Sequence, residues 1–140
     1  MLYVCDAPAG MTWFRLETEA EAADESQAMH HSVEKYFRQE ESKAEQSFAP
    51  ASRRFIEQQI GLKSHVQRAM PLFLTLRNDE GKPLVTAMLP PGGREDRSFR
   101  PIIVGFANAD PYGEHAAPIR ALADHFGLDL DRARCYPYRR

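Results

Sequence analysis

The chain has 140 residues, a net charge of −2, 43% hydrophobic and 27% charged side chains, and two cysteines. This length and balance suit one domain spanning 1–140 with a real core, and no apolar run approaches the length of a membrane span. Two thiols are too few for a disulfide scaffold.

Cys5 and Cys135 are therefore expected as small buried hydrophobes. The alternative is that the terminal segments pair as neighbouring strands and bring the two thiols together. The start, Met-Leu-Tyr-Val-Cys-Asp, lacks a basic segment followed by a long apolar one, so no secretory signal is expected. The expected setting is the cytoplasm of a bacterium-like host. Residues 1–50 carry ten acidic and four basic side chains, and residues 51–140 carry ten and fourteen. Such asymmetry suits an anionic partner, or complementarity between two copies or two surfaces. Fourteen of the eighteen basic residues are Arg, which forks onto carboxylates and phosphates better than Lys.

Tyr3 to Cys5 and Thr12 to Leu16 read as short strands around an Ala-Pro-Ala-Gly turn at 7–10. Thr18-Glu19-Ala20-Glu21 has the spacing of a capping box. The apolar residues that follow, Ala22, Met29, Val33, Tyr36, Phe37, Ala44 and Phe48, fall mostly three, four or seven apart. That spacing predicts one helix from about Glu19 to Ser47. Pro50 suits the first turn of a second helix through Phe55, Ile56, Ile60, Val66 and Met70, with Gly61 as a break or kink.

Leu72 to Leu89 is the clearest element. Two apolar, strand-prone runs flank Asn-Asp-Glu-Gly-Lys-Pro, the pattern of a β-hairpin. Pro90 to Ser98 reads as a loop. Ile102 to Phe106 is a continuous apolar run and reads as a buried strand. Asp110 is the expected N-cap of the last helix, with Pro111 at its first position, Ile119, Leu122, Ala123 and Phe126 on its apolar face, and Gly127 as its C-cap. An edge strand is expected around Cys135 and Tyr136. The expected class is α+β, in the order β-β-α-α-β-β-β-α-β, with a mainly antiparallel sheet and helices packed on one face.

Candidate chemistry is sparse. His30 and Glu34 share a helical face at i,i+4, but two ligands do not make a metal site, so none is expected. Asn108, Asp110 and His115 cluster at a strand-to-helix junction, where unpaired N–H groups and the helix dipole favour anions. Arg94, Arg97 and Arg100 precede the same strand and are the candidate cationic lid over that junction. His115 is the acid/base candidate and Asp110 its polariser or the helix cap. There is no Gly-rich phosphate loop, and no Ser stands in a nucleophile elbow. Neither thiol shows local activation, and no cofactor is expected.

The order of helices, a hairpin with an acidic-Gly turn, then a strand leading into a helix is similar to that of the acetyltransferase superfamily that uses acetyl-CoA. The similarity covers about half the chain, in element order only. It implies a CoA-type or other anionic ligand at 108–115. That family's pyrophosphate loop is Gly-rich, whereas Asn108 to Ala117 holds only Gly113. Phe55 to Arg68, with a Gly turn between helical stretches and a hairpin after it, also resembles a winged helix-turn-helix. That resemblance implies DNA binding through Arg53, Arg54, Lys63, Arg68, Arg77 and Lys82. Val66 lies one residue too near Gly61 for the usual spacing, and the hairpin is too apolar for an exposed wing, so nucleic acid is not the expected partner. A non-catalytic binding, adaptor or regulatory domain ranks first, with a protein partner or homodimer packed on the face of Met29, Val33, Tyr36 and Phe37.

Overall fold

The structure, a computed structural model, describes residues 1–50 and 53–135. The first hairpin is β1 (Leu2–Ala7) and β2 (Met11–Arg15). Three helices follow: α1 (Glu19–Met29), α2 (Val33–Gln46) and α3 (Phe55–Ala69). The second hairpin is β3 (Leu72–Arg77) and β4 (Pro83–Leu89), and the order closes with β5 (Ile102–Val104) and α4 (Tyr112–Phe126). The five strands lie in the order β1-β2-β3-β4-β5, antiparallel throughout. The class is α+β with an antiparallel sheet, as the sequence pattern predicts. Among the described residues no helix is long and apolar enough to cross a membrane.

The second hairpin occupies the middle of this sheet. Asn78 Oδ1 accepts from the N–H groups of Glu80 and Lys82, at 3.0 and 2.9 Å, and closes the turn. Gly81, with φ +79, supplies the left-handed residue that the turn needs. Strand alternation then sends side chains to opposite faces. Leu72, Leu74, Leu76, Val85, Ala87, Leu89 and Ile103 join Trp13, Ile119 and Leu122 in one apolar cluster with α4. Phe73 joins Leu16, Ala22, Val33, Phe37 and Ala44 in a second cluster with α1 and α2. The helices therefore cover both faces of the sheet rather than one. The physical reason lies in β3 itself, where Leu72 to Leu76 are all buried, so neither face could be left to solvent.

The expected single helix over 19–47 is two helices. His30 adopts a left-handed backbone, φ 53 and ψ 52, and its N–H bonds Ser26 O. Ser26 Oγ in turn accepts the Glu34 N–H at 2.9 Å, so one residue closes α1 and receives the start of α2. The capping box forms as expected. Thr18 Oγ1 accepts the Glu21 N–H at 3.2 Å, and Glu21 Oε1 reaches back to the Glu17 N–H at 2.8 Å.

The helix expected to break at Gly61 runs unbroken from Phe55 to Ala69. Gly61 instead faces the Phe48 ring, where a Cβ would sit 3.2 Å from Cζ. A continuous α3 and a central hairpin leave neither the turn nor the exposed wing of a winged helix-turn-helix.

No strand forms over 128–135; Leu128, Leu130 and Cys135 fill the α4-side cluster from turns. Tyr136, the other half of that expectation, lies outside the described residues. Cys5 and Cys135 are both free, the first packed against the cluster that buries the second. Among the described residues β1 pairs with β2 and not with 128–135.

Candidate functional site

The junction after β5 behaves differently from its sequence expectation. Helix α4 begins at Tyr112 with Pro111, not Asp110, in the N-cap position; Asp110 stands one residue earlier, and its Oδ1 accepts the Tyr112 N–H at 2.9 Å. Its other oxygen receives Arg132 Nε at 2.7 Å and Nη2 at 2.6 Å. The protein's own carboxylate and guanidinium thus occupy the position an external anion would take. His115 sits at a kink in α4, φ −123 and ψ 29, three residues before Pro118, whose ring cannot continue regular helical bonding. Among the described residues its buried Nδ1 has no hydrogen-bond partner. Its Nε2 lies 3.7 Å from the exposed Glu114, so no base–orienter pair forms.

The three loop arginines do not gather there. Gly93 packs so tightly on Phe126 that a Cβ would overlap the ring, and Glu95 pairs with Arg134. The first contact ties the 92–100 loop to the C-terminal end of α4, and the second ties it to the segment that follows the helix. His115 stands about 16 Å from Phe126 along a helix that rises roughly 1.5 Å per residue, and Asp110 lies beyond it, before the first turn. Asp110 and His115 line an open concavity with Lys82 and Phe106, and Arg94, Arg97 and Arg100 are not among its lining residues. Asn108 faces a different cavity.

That cavity is the more structured site. It encloses about 250 Å³ between the α1–α2 junction, β4, β5 and the turn at 106–109. Val33, Phe73, Met88, Ile102 and Val104 give it apolar walls, and His31, Ser32, Tyr36, Thr86 and Asn108 bring its polar groups. Register explains the grouping. Thr86 opposes Val104 and Met88 opposes Ile102, so all four share the face turned to α1 and α2.

Beneath the cavity lies a buried polar chain. Glu25 on α1 is 0% exposed, yet it carries a carboxylate. Thr86 Oγ1 donates to Glu25 Oε2 at 2.6 Å, and Arg77 Nη2 donates to Oε1 at 2.9 Å. Thr75, directly opposite Thr86 in the β3–β4 ladder, also hydrogen-bonds the carboxyl group. Arg77 is further held by Thr75 Oγ1 at 3.3 Å and Gly81 O at 3.2 Å. Burial pushes the Glu25 carboxyl above its ordinary range, opposed by Thr86, Thr75 and Arg77.

His31 completes the chain. Its Nδ1 accepts the Val33 N–H at 3.4 Å, which leaves the neutral ring's proton on Nε2. Nε2 meets Thr86 Oγ1 at 2.8 Å. Burial pushes the imidazole below its usual range, and the start of α2 adds the positive end of a helix dipole. The order of donors is His31 to Thr86 to Glu25. Each hydroxyl and ring nitrogen in the chain is already engaged.

Backbone strain collects at the cavity mouth. Among the described residues four non-glycine positions have positive φ, and three of them, His30, Ala107 and Asn108, adjoin or line this cavity. The His30 ring packs on Phe106 with centroids 4.5 Å apart, joining the two strained turns. His30 and Glu34, set apart by the helix break, do not form the shared face expected of them; Glu34 pairs with Arg38 instead. No group of three or more metal-ligating side chains occurs among the described residues.

Glu25, Thr75, Thr86 and His31 were not among the expected site residues, and Arg77 was named only as a DNA contact, yet the sequence holds a sign of three of them. Glu25 falls between Ala22 and Met29 on an otherwise apolar helical stripe, and Thr75 and Thr86 interrupt apolar strands. Polar residues at core positions mark a network that must be satisfied internally. Comparison with protein-family models, with curated proteins and with solved structures returns no match to this chain, so its function is argued from this geometry.

Proposed function

We propose that this chain is a non-catalytic ligand-binding domain, regulatory or adaptor in role, whose ligand occupies the cavity at His31, Thr86 and Asn108. The observation that carries this reading is a saturated polar chain laid under an open, mostly apolar cavity. Small-molecule sites combine apolar walls with a few fixed polar groups in this way. The proton order argues for binding over catalysis. Thr86 gives its hydrogen to Glu25, whereas a nucleophile would give it to His31. Thr86 is also only 3% exposed.

The test is a fragment screen read by amide NMR. Hits are expected to shift the resonances of His31 to Val33, Thr86 to Met88 and Ile102 to Val104. Ser32→Phe, an exposed change at the mouth, is expected to weaken them. Hits that map elsewhere, or that ignore Ser32→Phe, would count against the reading.

A second reading, contact with a protein partner or a second copy, is favoured by a different surface. Met29, Val33 and Phe37 are core, so the face expected to dock a partner is mostly consumed by the fold. Phe55 and Ile56 on α3 are each 72% exposed and Ile60 is 65% exposed. Light scattering tests it: a mass near 15.9 kDa, unchanged by Phe55→Ser with Ile56→Ser, would remove the homodimer.

A further inference from the structure

We infer that the cavity takes a small uncharged molecule with an apolar body and one neutral polar end, an inference that rests on the ligand-binding reading above. Charge decides which ligands fit. No Lys or Arg is among the residues that line the cavity. The nearby guanidinium, Arg77, is already spent on Glu25, Thr75 and Gly81. An anion would find no cationic side chain, and the first N–H groups of α2 are already taken, Val33 by His31 Nδ1 and Glu34 by Ser26 Oγ; it would also approach a carboxylate held only one hydroxyl behind the cavity wall.

A cation fares no better. Thr86 stands between the cavity and Glu25 with its hydrogen already donated, and no Asp or Glu lines the cavity. His31 presents no charge of its own, because a second ring proton would point at the Val33 N–H. Burying an unpaired ion is expensive, and these walls provide nothing to offset it. A neutral polar end meets different surroundings. The Ser32 hydroxyl makes no capping bond to α2, and Ser32 and Asn108 are both exposed at the rim while Thr86 and Phe73 lie deep. The size agrees, since about 250 Å³ lies below the range typical of drug-sized ligands. A CoA-type or phosphorylated ligand, expected for the 108–115 junction, is the wrong charge and size here.

The test uses three probes with one apolar body: hexanamide, hexanoate and hexylammonium, titrated near neutral pH into the full chain and followed by amide NMR. Hexanamide is expected to saturate at the His31, Thr86 and Val104 resonances, and both ions to bind about tenfold or more weakly, a gap of roughly 1.4 kcal/mol. Ser32→Arg, at an exposed position, is expected to recover hexanoate and not hexylammonium. Equal binding of hexanoate and hexanamide to the unaltered protein would overturn the charge argument while leaving the cavity a binding site. Failure of all three probes to shift cavity resonances would overturn the inference and the ligand-binding reading together.

Discussion

The two faces of the sheet are made by the same strands and differ in kind. On the α4 side, Trp13, Leu74, Leu76, Val85, Leu89, Ile103 and Leu122 form a cluster that contains no charged side chain. On the α1–α2 side, Glu25, Thr75 and Thr86 are buried beside Phe73 and Phe37, and a cavity opens above them. An apolar interior needs only shape and volume. A polar interior needs every donor and acceptor placed, and it loses stability sharply when one member is removed. The first face serves to hold the fold, and the second has a geometry that folding alone does not require.

Single substitutions can break this contrast. Trp13→Ala should have the largest effect, about 3–5 kcal/mol in denaturant unfolding. It removes a fully buried side chain and the Trp13 Nε1 bond to Pro118 O at 2.9 Å. Hexanamide affinity of the folded protein should not change. If that affinity collapsed, the two faces would not be separable.

Glu25→Ala should cost about 3 kcal/mol, because removing one partner leaves Arg77, Thr75 and Thr86 without their acceptor. Unlike Trp13→Ala it should also alter binding, since Thr86 loses the partner that fixes its rotamer. A loss below about 1 kcal/mol in the same unfolding experiment would show that the network contributes little.

Acid titration separates the groups further. The folded pKa of His31 is depressed, so the unfolded chain binds its proton more readily. His31 therefore contributes stability at neutral pH that is lost as pH falls below the ordinary histidine range. His31→Asn should flatten that part of the pH–stability curve. The folded pKa of Glu25 is raised, so its contribution has the opposite sign: it declines as pH rises through the carboxylate range. A wild-type curve that is flat through the histidine range would contradict a neutral, half-buried His31.

The smallest effect concerns the strained mouth. Ala107 holds φ 53 in the turn after β5. Ala107→Gly should relieve that strain and raise stability by about 0.5–1 kcal/mol, after the greater unfolded-state freedom of Gly is discounted. A destabilised variant would mean that the Ala107 methyl packs usefully and the strain is slight.

The parts of the fold that were legible in sequence are those set by local chemistry. The capping box at Thr18–Glu21, the hairpin at 72–89 and the Gly127 cap each rest on residues within a few positions of one another. The break at His30 was not legible, because Met29, Val33 and Phe37 keep helical spacing across it. Val33 and Phe37 pack with Phe73 on one sheet face, and Met29 at the end of α1 is buried as well. The two-sided packing was implicit in the unbroken apolar run of β3, which period-two patterning alone does not assign to one face. The site was harder to see. Glu25, His31, Arg77 and Thr86 are up to 61 residues apart, and only the sheet register and the α1–α2 turn bring them together. Asp110 and His115 looked functional because they fall at a strand-to-helix junction that favours anions, yet Asp110 is engaged by Tyr112 and Arg132.

The most direct measurement is a set of intermolecular NOEs from the hexanamide methyl group to assigned protein methyls. Contacts to Val33, Ile102 and Val104 are expected, and none to Leu74, Ile119 or Leu122 across the sheet. Contacts to those α4-side methyls, or saturable binding without contacts to Val33 and Val104, would contradict the claim that the polar face carries the binding site.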